Sequence, residues 1–116
     1  MGECYFGGAG ASVKNGTVTT TAALMQTLSI SGFSAIPDNL VVILTSGVPQ
    51  DSSYRQSVEY VTIISGVVSI YCHNNNFGIT KRTGTAAISN NNLVITTPGD
   101  FFSTADANNT YKWWSF

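Results

Sequence analysis

A cysteine and the only histidine of the chain are neighbours, at Cys72 and His73. A thiol beside an imidazole is a pair typical of nucleophilic catalysis and of metal binding. The pair follows a β-branched run, however, and adjacent residues of a strand point to opposite faces of a sheet. A structural zinc site needs four ligands, and the only other thiol or imidazole is Cys4. The sequence therefore predicts no thiol or metal chemistry at this position, and a buried, apolar Cys72 is preferred over a Cys4–Cys72 bridge.

The carboxylates offer no general acid and base pair. Only Glu59 falls in a predicted strand, and the other acids fall in predicted loops or in the N-terminal segment. No spacing among them favours the two facing carboxylates that glycoside cleavage uses. The glycines at 7–10 are not followed by a helix, so they form no phosphate-binding loop. We therefore predict a protein that is not an enzyme and has no cofactor or metal. The acids are Glu3, Asp38, Asp51, Glu59, Asp100 and Asp106.

A binding surface is the remaining kind of site. Asparagines and an aromatic–arginine pair in predicted loops could hydrogen-bond to a sugar ring or stack on it. The same residues are also typical of plain turns and solvated loops, and this alternative stays open. The candidate ligand-binding residues are Tyr54, Arg55, Asn74, Asn75, Asn76, Asn90, Asn91 and Asn92.

Charge is scarce in this chain. Charged residues are 9% of the 116 positions, against about a quarter in an average soluble protein, and the formal net charge is −1. A surface of Ser, Thr and Asn gives little charge repulsion between copies. We therefore expect much of the surface to be covered by copies of the chain or by neighbouring proteins, and we predict a homo-oligomer, specifically a trimer.

The few basic residues are scattered, and nucleic acid is not an expected partner, because a row of phosphates needs a cluster of positive charges. Neither a membrane span nor a signal peptide is predicted, because no apolar stretch approaches 18 residues and the N-terminus has no basic and apolar regions in series. The basic residues are Lys14, Arg55, Lys81, Arg82 and Lys112.

The elements that would position these residues are β-strands. Residues 1–12 end in a glycine-rich stretch and are predicted to be a flexible arm or linker, and residues 13–116 one β-domain. Short runs of Val, Ile, Thr and Tyr alternate with Gly, Asn, Asp and Pro, which favours an antiparallel β-sandwich or jelly roll. About eight strands are predicted, at 16–21, 26–31, 40–46, 57–65, 67–73, 85–89, 93–97 and 110–116.

Two hairpins and one doubly buried strand are expected. Gly66 marks a turn that pairs 61–64 with 67–70, and Asn90–Asn92 mark a turn that pairs 86–88 with 93–95. The run Leu40–Leu44 is apolar throughout, so both of its faces are expected to be covered.

The chain ends in an aromatic segment with strand alternation. Tyr111, Trp113 and Ser115 fall on one face, and Lys112, Trp114 and Phe116 on the other. One face can fill the core, and the second suggests a subunit contact, since aromatics supply large area at interfaces. A fold that buries both faces is the alternative. The predicted interface or core anchors are Tyr111, Trp113, Trp114 and Phe116.

Four segments follow one another along the chain at 16–21, 27–33, 36–43 and 111–116. Together they resemble the C-terminal domains of tail-fibre and related appendage proteins from phages of Gram-positive bacteria. The resemblance implies a β-sandwich that is often trimeric and binds bacterial surface glycans, but it carries over no ligand-binding residue. It covers most of residues 16–116.

The expected function is therefore a self-assembling structural protein on the surface of a phage or phage-like particle, made in the bacterial cytoplasm. Its partners would be itself, other virion proteins and a surface glycan. Only a dozen residues precede the domain, where a fibre would have a shaft, and the final glycine frequent in the family is missing. A capsid decoration or head-fibre protein is therefore one alternative. A soluble carbohydrate-binding lectin is another.

Overall fold

The structure is a computed structural model that describes residues 14–20, 25–46, 57–74, 78–99, 102 and 109–116. The strands in these ranges form two antiparallel sheets that pack together as a β-sandwich. The larger sheet has the order β1-β9-β3-β4-β5-β6, and the smaller one β2-β8-β7. The strands are β1 Lys14–Thr19, β2 Thr27–Ser31, β3 Asn39–Ser46, β4 Ser57–Ile64, β5 Val67–Asn74, β6 Gly78–Thr83, β7 Thr85–Ser89, β8 Asn92–Thr96 and β9 Thr110–Ser115.

The predicted all-β sandwich is confirmed, and each of the eight predicted strands is present with ends that differ by at most two residues. One strand was missed, since β6 lies where the sequence analysis predicts none. The predicted arm at residues 1–12 lies outside the described residues.

Both predicted hairpins are present, and each has a two-residue turn with left-handed backbone. Ser65 and Gly66 have φ of 50° and 82°, and Asn90 and Asn91 have φ of 51° and 63°. These are conformations that suit the right-handed twist of paired strands, and Gly and Asn adopt them most readily. The turns fix the registers Ile64↔Val67 and Ser89↔Asn92.

The core lies between the two sheets, and strand alternation supplies it. Leu40 and Val42 of β3 are buried, and so are Val61 and Ile63 on the neighbouring strand β4. Within a single chain the prediction that both faces of Leu40–Leu44 are covered is wrong, because Ile43 is 41% exposed. The smaller sheet covers only one face of the larger sheet, so the opposite side of β3 faces outward.

Buried polar contacts hold the start of β9 in place. The Tyr111 hydroxyl lies 2.9 Å from the carbonyl oxygen of Val58 and 3.1 Å from that of Phe102. The backbone N–H of Asn109 donates to the Thr20 hydroxyl at 2.8 Å, and the N–H of Thr20 donates to the Asn109 carbonyl at 2.8 Å. The last two contacts join the end of β1 to the residue before β9. They also give these buried backbone and hydroxyl groups the hydrogen-bond partners that buried polar groups need.

Gly84 carries the chain from β6 in the larger sheet to β7 in the smaller one. A Cβ at this position would lie 2.7 Å from a side-chain carbon of Ile70 and 3.0 Å from the carbonyl oxygen of Thr96. Only glycine fits there without displacing its neighbours, so this residue allows the two sheets to approach each other at this corner.

Candidate functional site

The paired candidates Cys72 and His73 lie on opposite faces of β5. Cys72 is fully buried as a free thiol, while the His73 imidazole is half-buried and lies 3.8 Å from the Glu59 carboxylate. In the part of the chain that the structure describes, no group of three or more His, Cys, Asp or Glu residues could hold a metal ion. The Cys72 and His73 side chains therefore cannot act on one atom.

Among the described residues, no helix is long and apolar enough to cross a membrane.

Two buried groups, the Cys72 thiol and the Tyr111 hydroxyl, are expected to lower the stability of the fold at alkaline pH. Burial raises the pKa of the Cys72 thiol to about 11, and the neighbouring Arg82 opposes this shift. Burial likewise raises the pKa of the Tyr111 hydroxyl above its usual value of about 10. In the unfolded chain the thiol ionises near about 8.5, so between about 8.5 and 11 the folded state holds more protons than the unfolded state. Stability therefore falls as pH rises through this range.

We expect the contribution of Cys72 to the free energy of unfolding to be constant up to about pH 8.5 and then to fall by roughly 2 to 3 kcal/mol as the pH rises to about 11. Urea unfolding at pH 7.5, 9 and 10.5 measures the decline. The matched variant Cys72→Ala should lose the part of the decline below about pH 10 and keep the tyrosine part above it. Parallel profiles for the two proteins would contradict the assignment to Cys72.

The asparagines at 90–92 have structural roles. Asn90 and Asn91 form the β7–β8 turn, and the Asn91 carbonyl accepts hydrogen bonds from the N–H groups of Gly32 and Phe33 at 3.0 and 3.1 Å. Asn92 begins β8 and lines a surface groove between β1 and β2. The positive φ at the first two positions explains why asparagine stands there.

The other candidate ligand residues are not brought together with these asparagines in the described structure. Asn74 is the last residue of β5 and is paired with Gly78 of β6. The remaining candidates lie outside the described residues, and they are Tyr54, Arg55, Asn75 and Asn76.

The terminal strand β9 divides its aromatic residues between the two sides of the larger sheet. Tyr111 is fully buried and Trp113 is 7% exposed, and both contact the core. Trp113 packs on Phe33 with a distance of 5.2 Å between ring centroids. On the opposite side Trp114 is half-buried, and Phe116 is 51% exposed.

The side of the larger sheet turned away from the smaller one, called the outer face below, is rich in apolar and aromatic groups. Cross-strand register places Trp114 beside Val41, and Ile43 beside Tyr60. Ile64 and Val67 at the β4–β5 turn are 60% and 65% exposed. The outer face is defined by Val41, Ile43, Tyr60, Ile64, Val67, Tyr71, Trp114 and one cation, Lys112.

Two contacts between side chains lie on the outer face. The rings of Tyr60 and Tyr71 stack with centroids 4.4 Å apart and 17° between their planes. The Lys112 ammonium lies 5.5 Å from the centre of the Trp114 ring, where a cation is attracted to the aromatic face. Sequence reasoning missed the tyrosine pair, although counting back from the two-residue turn at 65–66 places Tyr60 opposite Tyr71.

A second surface feature is a groove of about 270 Å³ between the edges of the two sheets. It is bordered by Gly16–Val18 of β1 and Ser29–Ser31 of β2, with Asn92 and Trp113 completing the lining. Among the described residues, no charged side chain lines it. The groove therefore offers neutral hydrogen-bonding groups beside the edge of one indole.

The described fold defines this chain as an antiparallel β-sandwich of two sheets. Comparison with protein-family models, with curated proteins and with solved structures finds no match.

Proposed function

We propose that this chain is a self-assembling structural subunit of a phage or phage-like particle, in an appendage that meets the bacterial surface. The observation that carries the proposal is the outer face, where apolar and aromatic side chains cover a sheet that the smaller sheet leaves open. Contiguous apolar patches of this kind mark interaction surfaces in soluble proteins. The assignment to a phage particle and the expected surface glycan both rest on the resemblance to phage appendage domains.

The occupant of the outer face is a second copy of the same chain. Six strands about 4.8 Å apart are roughly 24 Å across, and strands of six to eight residues are about 20 to 26 Å long. The resulting footprint of roughly 500 to 600 Å² approaches the 800 Å² or so of accessible surface that each partner buries in a standard interface. Among the residues that define the face only Lys112 is charged, and its ammonium lies over the Trp114 ring, while Lys81, His73 and Glu59 lie on the same side of the sheet towards β6.

Light scattering of the purified chain tests self-association directly, and we expect a mass of three copies from the resemblance. The decisive variant is Ile43→Lys, which places a second ammonium beside Lys112 in the middle of the outer face. We expect it to reduce the mass to that of one copy while the melting temperature changes by only a few degrees, because Ile43 is 41% exposed.

Ile36→Lys is the matched control, since Ile36 is 42% exposed but lies in the β2–β3 connection and not on the outer face. It should keep the oligomeric mass. A wild-type chain that is monomeric at high concentration would contradict self-association. A monomer that binds neutral glycans would instead favour the lectin alternative. Capsid, portal or tail genes beside the gene for this chain would support the particle assignment, and their absence would oppose it.

A further inference from the structure

Two strand edges border the same groove. Within the described residues β1 pairs only with β9, and β2 pairs only with β8, so each is an edge strand. An edge strand presents a row of unpaired N–H and C=O groups, which is a template for another extended chain. Because Gly16–Val18 and Ser29–Ser31 line opposite sides of one groove, an extended segment could pair with either edge.

The indole of Trp113 is the largest side chain in the lining of the groove. Trp113 lies below β1, and a Cβ on Gly16 would be 2.8 Å from its indole nitrogen Nε1. Buried indole N–H groups usually donate to an acceptor, and a backbone carbonyl of a segment inserted in the groove would supply one. The small volume and the absence of charge in the lining favour a neutral segment with small side chains.

We propose that this groove binds residues 1–13 of a neighbouring copy as an added β-strand. This inference rests on the proposed self-association, which brings the copies together. From Cys4 to Val13 the segment carries no charged residue, and Ala9, Ala11 and Val13 alternate with glycine and serine. This is the two-residue period of a strand with small apolar side chains on one face. The 13 residues reach up to about 43 Å when extended, several times the length of a three-residue border.

The contacts of Lys14 favour a neighbouring copy over the same chain as the source of the segment. The Lys14 ammonium donates to the Gly32 carbonyl at 3.3 Å and lies 5.2 Å from the centre of the Phe33 ring. These contacts bridge β1 and β2 at the point where residues 1–13 join the domain. A segment entering its own groove would have to reverse direction across this bridge.

Hydrogen exchange tests the proposal with the full chain, a chain lacking residues 1–12, and a synthetic peptide of residues 1–13. In the full chain we expect amides within Gly16–Val18 and Ser29–Ser31 to exchange at least tenfold more slowly than in the truncated chain. Adding the peptide to the truncated chain should restore the protection. Amides of Val68–Cys72 in the interior strand β5 are the control and should not change.

The experiment tests this proposal separately from self-association. Binding of the peptide is read from hydrogen exchange, and this readout does not depend on the oligomeric mass of the chain. Equal exchange in the full and truncated chains, with no effect of the peptide, would overturn the proposal even if the chain is a trimer. Protection that persists when the full chain is diluted to a monomer would assign the groove to its own segment and would also overturn it. Protection by a neutral oligosaccharide such as maltoheptaose, but not by the peptide, would make the groove a carbohydrate site.

Discussion

Removal of residues 111–116 is expected to leave a chain that does not fold. Strand β9 lies inside the larger sheet, with β1 on one side and β3 on the other. The deletion therefore removes two ladders of backbone hydrogen bonds together with the buried Tyr111 and Trp113 side chains. Each large buried aromatic contributes on the order of 3 to 5 kcal/mol, and a small domain has only about 5 to 15 kcal/mol of stability in total.

Circular dichroism and thermal unfolding measure this loss, and we expect no cooperative transition in the truncated chain. Removal of Phe116 alone is the control, since this side chain is 51% exposed and the deletion removes one backbone hydrogen bond, from the Phe116 N–H to the Asn39 carbonyl, and leaves both ladders of β9 in place. That shorter deletion should lower the melting temperature by only a few degrees. A chain without residues 111–116 that melts cooperatively but no longer attaches to cells would show that the aromatic end is a recognition surface and not a structural element.

The local features of this fold were predictable because they depend on neighbours in sequence. A glycine at 66 and asparagines at 90–92 favour left-handed turns, and each turn fixes the register of the two strands that it joins. The alternation of Tyr111, Trp113 and Ser115 with Lys112, Trp114 and Phe116 likewise gives the two sides of β9 without knowledge of its partners.

The missed strand and the misjudged one have a common physical cause. Strand β6 is an edge strand of sequence GITKRT, in which the two adjacent basic residues and the exposed Ile79 obscure any alternation of apolar and polar positions. In β3 the apolar run Leu40–Leu44 suggests cover on both faces, yet Ile43 is exposed. Hydrophobicity indicates what a residue gains by burial, but whether a second layer lies on that side of the sheet decides whether the residue is covered.

The long-range arrangement was not predictable from local pattern. Strand β9 is inserted between β1 and β3, and β2 is paired with β8, so residues distant in sequence meet. The groove depends on this arrangement, because Gly16 approaches Trp113 only when β1 and β9 are neighbours. The outer face depends on it too, since Trp114, Val41 and Tyr60 come from three different strands.

The adjacent residues Trp113 and Trp114 provide a comparison within one strand, because they are the same residue type on opposite sides of the sheet. Trp113→Ala is expected to destabilise the fold by roughly 3 to 5 kcal/mol, since the indole is 7% exposed and packs on Phe33. Trp114→Ala is expected to change the free energy of unfolding of the monomer by about 1 kcal/mol or less, as the side chain lies on the half-exposed outer face.

Assembly should show the opposite order of effects. Trp114→Ala removes an aromatic group from the proposed contact between copies, where such side chains contribute most of the binding energy, so we expect at least a tenfold weaker association. Urea unfolding at a concentration where the wild type is monomeric measures the first effect, and light scattering over a dilution series measures the second. If Trp114→Ala instead destabilises the monomer as much as Trp113→Ala while association is unchanged, the outer face is part of the folding core and the copies meet elsewhere.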